Sequence, residues 1–309
     1  MRITIVGSGG VGGYFGARLA QGGCDVGFVA RGAHLAAIRA HGLRVESKLG
    51  AIHLEKVRVS DDPVALGPAD YVFLCVKLWD TEAALHAAGA IIGAETTVIS
   101  FQNGVQKDDL LRQIVGAQRV VGGVGYIGSK IGSPGVISHT GTMQRLAFGE
   151  YDGAKSPRVV ALHEACLRGG IDAEISADIR RAIWEKFVFL VGLSATTTSM
   201  RSTLGPIAQN PITRAFLLDA MREVVVVGRA HGVRLPEDFA EKRLAFIDDL
   251  PPEMDSSMHA DLDSGKRLEL DWLSGAVVAL GAAVNVPTPM NRAARDILTL
   301  HARGRLDIA

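Results

Sequence analysis

Apolar positions arrive in two rhythms along this chain. Up to about residue 150 they come as short clusters, Ile3, Ile5 and Val6 at the start and TVISF at 97–101, and as one unbroken run, YVFLCV at 71–76. Runs without alternation belong to strands buried on both faces of a parallel sheet. Between them the spacing turns helical, in the segment carrying Phe15, Leu19 and Ala20, at 31–39, and at 81–92. A further strand is predicted over 25–30. Residues 43–47 and 52–59, parted by Lys48, Leu49 and Gly50, read as a hairpin inserted into the sheet. More β structure is predicted at 119–127, 135–139 and 144–148.

From about residue 178 the runs lengthen into amphipathic or wholly apolar helices, predicted over 178–193, 211–231, 236–247, 266–284 and 291–301. At 309 residues the chain exceeds what one hydrophobic core usually serves, and 48% hydrophobic residues suffice to fill two. The expected architecture is α/β, with a Rossmann-type doubly wound sheet domain over 1–175 followed by an all-α C-terminal domain over 176–309. Such an order leaves a cleft where a substrate meets a bound nucleotide.

Charge narrows the partners. Lys and Arg together number 33, as do Asp and Glu, so no net field favours nucleic acid or an anionic membrane. A small-molecule partner is expected. Cys24, Cys75 and Cys166 are far apart and without metal-ligand spacing, which suits core thiols in a reducing compartment. The chain opens directly on its first strand, leaving no room for a cleaved leader, and no apolar stretch reaches the roughly 18 residues that span a bilayer. A cytoplasmic protein is expected. Apolar helices such as MREVVVVG suggest a homodimer.

The chemistry starts at the first strand, which runs straight into Gly7-x-Gly9-x-x-Gly12 and then a helix. Gly7 permits the tight turn, Gly9 removes a side chain from the path of a pyrophosphate, and Gly12 lets helix and sheet pack closely. The helix N-terminus adds free N–H groups and a positive dipole end. A dinucleotide site is expected here. After the second strand, where an acid would serve the ribose 2′-hydroxyl of NAD, the chain has Arg31. A guanidinium suits a 2′-phosphate, so NADP(H) is expected, the alternative being an ordinary exposed Arg.

Lys77 and Asn103 follow buried strands and so fall at the carboxyl edge where open α/β sheets bind ligands. A solvated Lys and an Asn-Gly turn are the competing readings. Lys186 shares 4-3-4 spacing with Ile179, Ile183 and Leu190, which turns it toward the apolar stripe. An amine so placed can protonate an alkoxide forming on a reduced carbonyl; it can equally snorkel or pair with a carboxylate. Glu269, on a predicted helical face with Trp272 and Ala276, either orients an ammonium or amide or serves a structural partner. His139 reads as structural. The hydroxyl run Thr196, Thr197, Thr198, Ser199 and Ser202 is read mostly as turn and capping residues. Asp261, Asp263, Glu269 and Asp271 lack the geometry of a calcium loop, and no metal is expected.

These pieces occur in one order. GSGGVGG, Arg31, VKLW at Lys77, QNG at Asn103, the IWEK helix and the late SSM-x-x-D…E segment resemble the ketopantoate reductase (2-dehydropantoate 2-reductase) family over nearly the whole chain. The resemblance implies NADPH as hydride donor and reduction of a 2-oxo acid to a 2-hydroxy acid, with ketopantoate the first candidate. It implies that Gly7, Ser8, Gly9, Gly10, Val11, Gly12 and Arg31 hold the nucleotide. Lys77, Asn103, Gly128 and Glu269 would line the cofactor, Lys186 would donate the proton, and Asn103, Ser194 and Ser257 would meet the substrate.

The chain also departs from the family pattern. Positions four and eight after the catalytic Lys, Asn in the family, are Leu190 and Ser194; two further Asn positions fall on Leu204 and Met254. Lost amides remove partners for the hydroxyls of ketopantoate. The same chemistry on a less polar branched or aromatic 2-oxo acid is therefore one alternative. A non-catalytic NADP(H)-binding sensor, which needs the glycine loop but not Lys186, is another.

Overall fold

A computed structural model describes residues 1–305. The chain divides into two compact units, the first made of Met1–Asn103 and Lys107–Ala182, the second of Gly104–Gln106 and the chain from Ile183 onward.

In the first unit, strands β1 (Arg2–Val6), β2 (Asp25–Val29), β3 (Leu43–Glu46), β4 (Ile52–Leu54), β5 (Arg58–Ser60), β6 (Tyr71–Leu74), β7 (Thr97–Ser100), β8 (Val120–Ser133), β9 (Val136–Gly149) and β10 (Asp172–Ile175) form one sheet. Its order is β4-β3-β9-β8-β7-β6-β1-β2-β5, with β10 added beside β9. From β5 through β2, β1, β6 and β7 to β8 every pairing is parallel. Helices α1 (Gly10–Gln21), α2 (Gly32–His41), α3 (Thr81–Ala88), α4 (Lys107–Val115) and α5 (Pro157–Arg168) complete the unit.

The absence of alternation in the central strands has its expected cause. Ile3, Ile5, Tyr71 and Phe73 pack with Phe15 and Leu19 of α1 on one face. Val6, Val72 and Leu74 pack with Leu85 of α3 and Leu111 of α4 on the other. Each such aliphatic or aromatic side chain contributes about 1.5–3 kcal/mol when taken fully from water.

The predicted hairpin is half correct. β3 and β4 pair antiparallel, but residues 58–60 leave that pair and run parallel beside β2 as β5. Polar Glu55 and Lys56 interrupt the apolar pattern there, and the Arg58 guanidinium is drawn to the Asp25 carboxylate. The three β segments predicted between 119 and 148 are instead two 14-residue strands forming a long antiparallel hairpin.

The second unit is helical: α6 (Ile179–Met200, of which residues from Ile183 belong here), α7 (Leu204–Gln209), α8 (Pro211–Ala230), α9 (Phe239–Ile247), α10 (Ser257–Asp263), α11 (Ser274–Ala283) and α12 (Pro289–Leu298). Its core joins Phe187, Val188 and Val191 of α6 to Leu217, Met221 and Val224 of α8 and Val277 of α11. The hydroxyl run proves to lie largely in helix interior. Thr196 and Thr197 stay in α6 because their hydroxyls donate back to the Gly192 and Leu193 carbonyls, 2.9 and 2.7 Å.

The helix predicted over 266–284 is not continuous. A short 3-10 turn occupies Leu270–Trp272, Leu273 leaves helical geometry at φ −107 and ψ −103, and only then does α11 begin. Leu268 donates its backbone N–H to the Ala302 carbonyl, which holds the preceding residues out of a helix. Glu269, Trp272 and Ala276 thus share no regular helical face, a correction to the sequence reading. Among the described residues, no helix is long and apolar enough to cross a membrane.

Candidate active site

β1 delivers the chain into Gly7 at φ +102, and a Cβ there would lie 2.6 Å from the Val76 backbone nitrogen. Only glycine fits. The Val29 carbonyl at the end of β2 accepts from Gly7 N (3.3 Å), Ser8 N (3.1 Å) and Ser8 Oγ (2.9 Å), which anchors the turn. A Cβ on Gly12 would fall 2.7 Å from Ile5 Cγ2 and against the Gly7 carbonyl, and one on Gly10 would come within 2.5 Å of the Ser129 carbonyl carbon. At Gly9 nothing lies within 4 Å. Gly9 is also the N-cap of α1, and no side chain caps that end. The first N–H groups of a helix lack intrahelical partners, so this open side offers donors and a positive dipole end to an anion. Val11 follows in the first turn, half-buried. The residues fit a dinucleotide's phosphates.

The surrounding segments are tied to this loop. Arg31 is the exposed N-cap of α2 and sits two residues after the Val29 carbonyl anchor. On the same helix His34 bridges Ser8 and Gly135: Nε2 is 2.9 Å from the Ser8 carbonyl oxygen, and Nδ1 accepts from Gly135 N at 3.0 Å. Lys77 is half-buried at the end of the β6 segment, its Nζ 5.7 Å from the Trp79 ring centre. Asn103, half-buried, follows β7. Between them stands Gln102, whose Nε2 donates to the Val76 carbonyl (2.9 Å) and Thr81 Oγ1 (2.8 Å) while its Oε1 accepts from Ser100 Oγ (2.9 Å). Gly128 occupies an exposed position in β8 where the register with β9 shifts, one residue from the Ser129 that abuts Gly10. The structure thus gathers the glycine loop, Arg31, Lys77, Asn103 and Gly128 along one edge of the first unit.

Beneath that edge Lys107 is buried, with Nζ donating to the Ser100 and Gly123 carbonyls, both at 3.0 Å, and to Asp108 Oδ1 at 2.7 Å. Asp108 Oδ2 in turn accepts from the Tyr151 hydroxyl at 2.7 Å. Burial and the neighbouring Asp108 push the Tyr151 phenol far above its ordinary value, so it stays a donor. Burial likewise pushes the Cys75 thiol up to about 12, which removes it as a nucleophile beside the glycine loop. His139 is buried against the Tyr14 ring, with Nδ1 at Ser47 Oγ and Nε2 at the Met143 carbonyl, as a structural residue would be.

In the second unit Lys186 is half-buried on α6, with Leu190 one turn on and Ser194 two turns on. Ser194 Oγ is buried without a hydrogen-bond partner. Ser257 is the exposed first residue of α10, behind the N-cap Ser256. The Ser256 hydroxyl accepts from His259 N at 3.1 Å and lies 2.8 Å from Thr197 Oγ1, which joins the start of α10 to α6. Glu269 is 6% exposed, immediately before the 3-10 turn. Leu204 N donates to the Met254 carbonyl at 2.9 Å, so two of the altered positions are neighbours; Leu204 is buried in the apolar core, against which Leu190 and Met254 pack.

His34 and Lys107 are functional candidates that the sequence pattern does not single out, and Gln102 stands out there only within the QNG motif. A His one turn into the helix after the second strand was the available signal for His34. Nothing in the order of residues marks Lys107 as buried.

The chain is similar to known proteins over nearly its whole length. The family model described as "Ketopantoate reductase PanE/ApbA" matches residues 3–153, and "Ketopantoate reductase PanE/ApbA C terminal" matches residues 178–302. A 2-dehydropantoate 2-reductase of Mesorhizobium japonicum is 35% identical over 310 residues, covering 94% of this chain and 94% of its own. One of Halobacterium salinarum is 32% identical over 304 residues, covering 98% of this chain and 99% of its own. Among solved structures, a PanE/ApbA family ketopantoate reductase from Ralstonia eutropha JMP134 matches with a TM-score of 0.89 at 32% identity, covering 98% of both chains.

Proposed function

The chain belongs to the ketopantoate reductase family, and on that premise we propose that it reduces a 2-oxo acid to the 2-hydroxy acid with NADPH, ketopantoate to pantoate being the leading case. The observation that carries the reading is the glycine loop, closed to side chains at Gly7, Gly10 and Gly12 and open only at Gly9. In this reading residues 1–175 bind the cofactor, and residues 176–309 bind the substrate and form a homodimer in the cytoplasm.

Gly7 to Gly12 hold the pyrophosphate through backbone N–H groups, and Arg31 holds the 2′-phosphate. Lys77, Asn103, Gly128 and Glu269 line the remainder of the cofactor. When bound, NADPH supplies a hydride to the carbonyl carbon. Lys186 hydrogen-bonds the carbonyl oxygen, stabilises the charge that develops there, and gives it a proton. Ser257 and Asn103 orient the substrate by its polar groups.

Ser194 is the place where substrate identity is decided. Its unpartnered buried hydroxyl suits one hydroxyl of ketopantoate, while Leu190 and Met254 supply apolar surface where further amides are expected. That surface favours a second reading, a less polar branched or aromatic 2-oxo acid. Steady-state assays with NADPH and NADH over a panel of 2-oxo acids test both. NADH used as well as NADPH refutes the Arg31 assignment, and ketopantoate turned over far below a bulky apolar analogue favours the second substrate. Lys186→Ala is expected to abolish turnover while NADPH binding survives, and retained turnover refutes the proton-donor role.

A further inference from the structure

His34 lies outside every role assigned above, yet it is the side chain that holds the glycine loop from the α2 side. The Gly135 N–H donates to Nδ1 at 3.0 Å, so that nitrogen carries a lone pair. The proton must then sit on Nε2, which donates to the Ser8 carbonyl at 2.9 Å. A single neutral tautomer satisfies both bonds. A second proton would have to sit on Nδ1, facing the Gly135 N–H, and a cation there would also oppose the positive end of α2. Burial accordingly lowers the His34 pKa from 6.5, against the opposing effect of the Ser8 carbonyl.

The Ser8 carbonyl shares a planar trans peptide with the Gly9 N–H, and the two point in opposite directions. Holding the carbonyl toward His34 therefore aims the Gly9 N–H away from it, and Gly9 itself stands open, with nothing within 4 Å of where its Cβ would be. Without that hold, little resists rotation of the Ser8–Gly9 peptide, because glycine tolerates either orientation. A rotated peptide presents a carbonyl oxygen to the phosphate in place of a donor.

We propose that His34 is a positioning residue for nucleotide binding, fixing the Ser8–Gly9 peptide so that the Gly9 N–H faces a dinucleotide phosphate. The inference rests on the nucleotide-binding reading of the glycine loop.

Fluorescence titration of NADPH into the full chain tests it, with circular dichroism and thermal denaturation as controls on folding. Binding by the wild type comes first, because its absence refutes the nucleotide reading itself. In His34→Gln the amide nitrogen reaches the place of Nε2 and keeps the Ser8 bond, so the Kd is expected within about twofold of wild type. In His34→Asn the shorter side chain keeps an acceptor for Gly135 but does not reach Ser8, so the Kd is expected to rise about tenfold. If the Asn protein does not fold, His34→Ala takes its place with the same expectation. Gln and Asn variants equally weakened, or an Asn or Ala variant binding as tightly as wild type, overturns the proposal.

Discussion

Two glycines three residues apart are expected to respond oppositely to a single methyl group. At Gly12 the added Cβ would lie 2.7 Å from Ile5 Cγ2 and press on the Gly7 carbonyl. Ordinary carbon contacts are about 3.5–4.0 Å, so relief requires a movement of about 1 Å. Ile5 is fully buried in the central strand and the Gly7 carbonyl is backbone, so neither yields cheaply. Overpacking of this kind costs about 1–3 kcal/mol, and backbone involvement places Gly12→Ala near about 3 kcal/mol. For a chain of 309 residues, with an unfolding entropy of about 2.1 cal/mol/K per residue, that lowers the melting midpoint by about 5 °C. At Gly9 the new Cβ meets nothing, and φ −74 with ψ −160 suits alanine. Gly9→Ala, at the N-cap of α1, is therefore expected to cost no more than about 1 kcal/mol of stability, while NADPH binding weakens at least about tenfold because the methyl takes up phosphate space. Differential scanning fluorimetry without ligand and NADPH titration separate the two effects. A Gly9→Ala protein that melts as early as Gly12→Ala, or binds NADPH as wild type does, refutes the reasoning.

Arg31→Ala is expected to raise the KM for NADPH about ten- to hundredfold by removing charge-assisted hydrogen bonds to the 2′-phosphate, with the KM for NADH little changed; an equal effect on both cofactors refutes the assignment. Lys107→Met leaves Asp108 buried with only the Tyr151 hydroxyl, and thermal or urea unfolding is expected to show a loss of about 3–5 kcal/mol; a loss below about 1 kcal/mol would mean the carboxylate finds water. For pH, His34 has a folded-state value below 6.5, so the unfolded chain protonates first as the pH falls. The associated stability is whole above 6.5 and is lost below it, toward the folded-state value. Melting at about pH 8 and about pH 5.5 is expected to show an acid-side drop that His34→Gln diminishes; an undiminished drop assigns it to other groups. Burial pushes the Glu150 carboxyl up, but hydrogen bonds from Arg158 and Ser156 outweigh it and leave the group below 4.5. Its contribution is present above 4.5 and fades as the pH drops further, so Glu150→Gln is expected to flatten the acid limb of a stability profile below that value, and an unaltered limb contradicts the assignment.

What the sequence made legible follows from how each signal arises. Continuous runs such as YVFLCV forced a strand covered on both faces, and Gly7, Gly9 and Gly12 forced a turn into a helix, because each signal is local. Residues 266–284 misled because their apolar spacing suits a helix, while the Ala302 carbonyl, more than thirty residues away, captures the Leu268 N–H and halts it. Residues 58–60 left the predicted hairpin for a similar reason: Asp25 and β2 compete for them, and no window of sequence contains both. The candidate site divided likewise. The turn glycines were legible from their spacing, and Arg31 and Lys186 are singled out by position alone, whereas His34, Gln102 and Lys107 owe their hydrogen bonds to backbone atoms distant along the chain.

Those three residues also answer a problem set by the fold. The carboxyl edge of a parallel sheet ends in carbonyl oxygens, whose partial negative charge repels the phosphates that bind there. Here carbonyls near the strand ends are claimed from within the first unit: Val29 by Gly7 N, Ser8 N and Ser8 Oγ; Val76 by Gln102; Ser100 and Gly123 by the Lys107 ammonium; and Ser8 by His34. Each donor satisfies a backbone oxygen near the strand ends, and the Lys107 ammonium does so while paired with Asp108. The turn itself then offers an anion the row of N–H groups at the start of α1. The polarity of the edge is thus set by side chains that need never touch the cofactor. Replacing them is expected to act on nucleotide affinity before it acts on turnover.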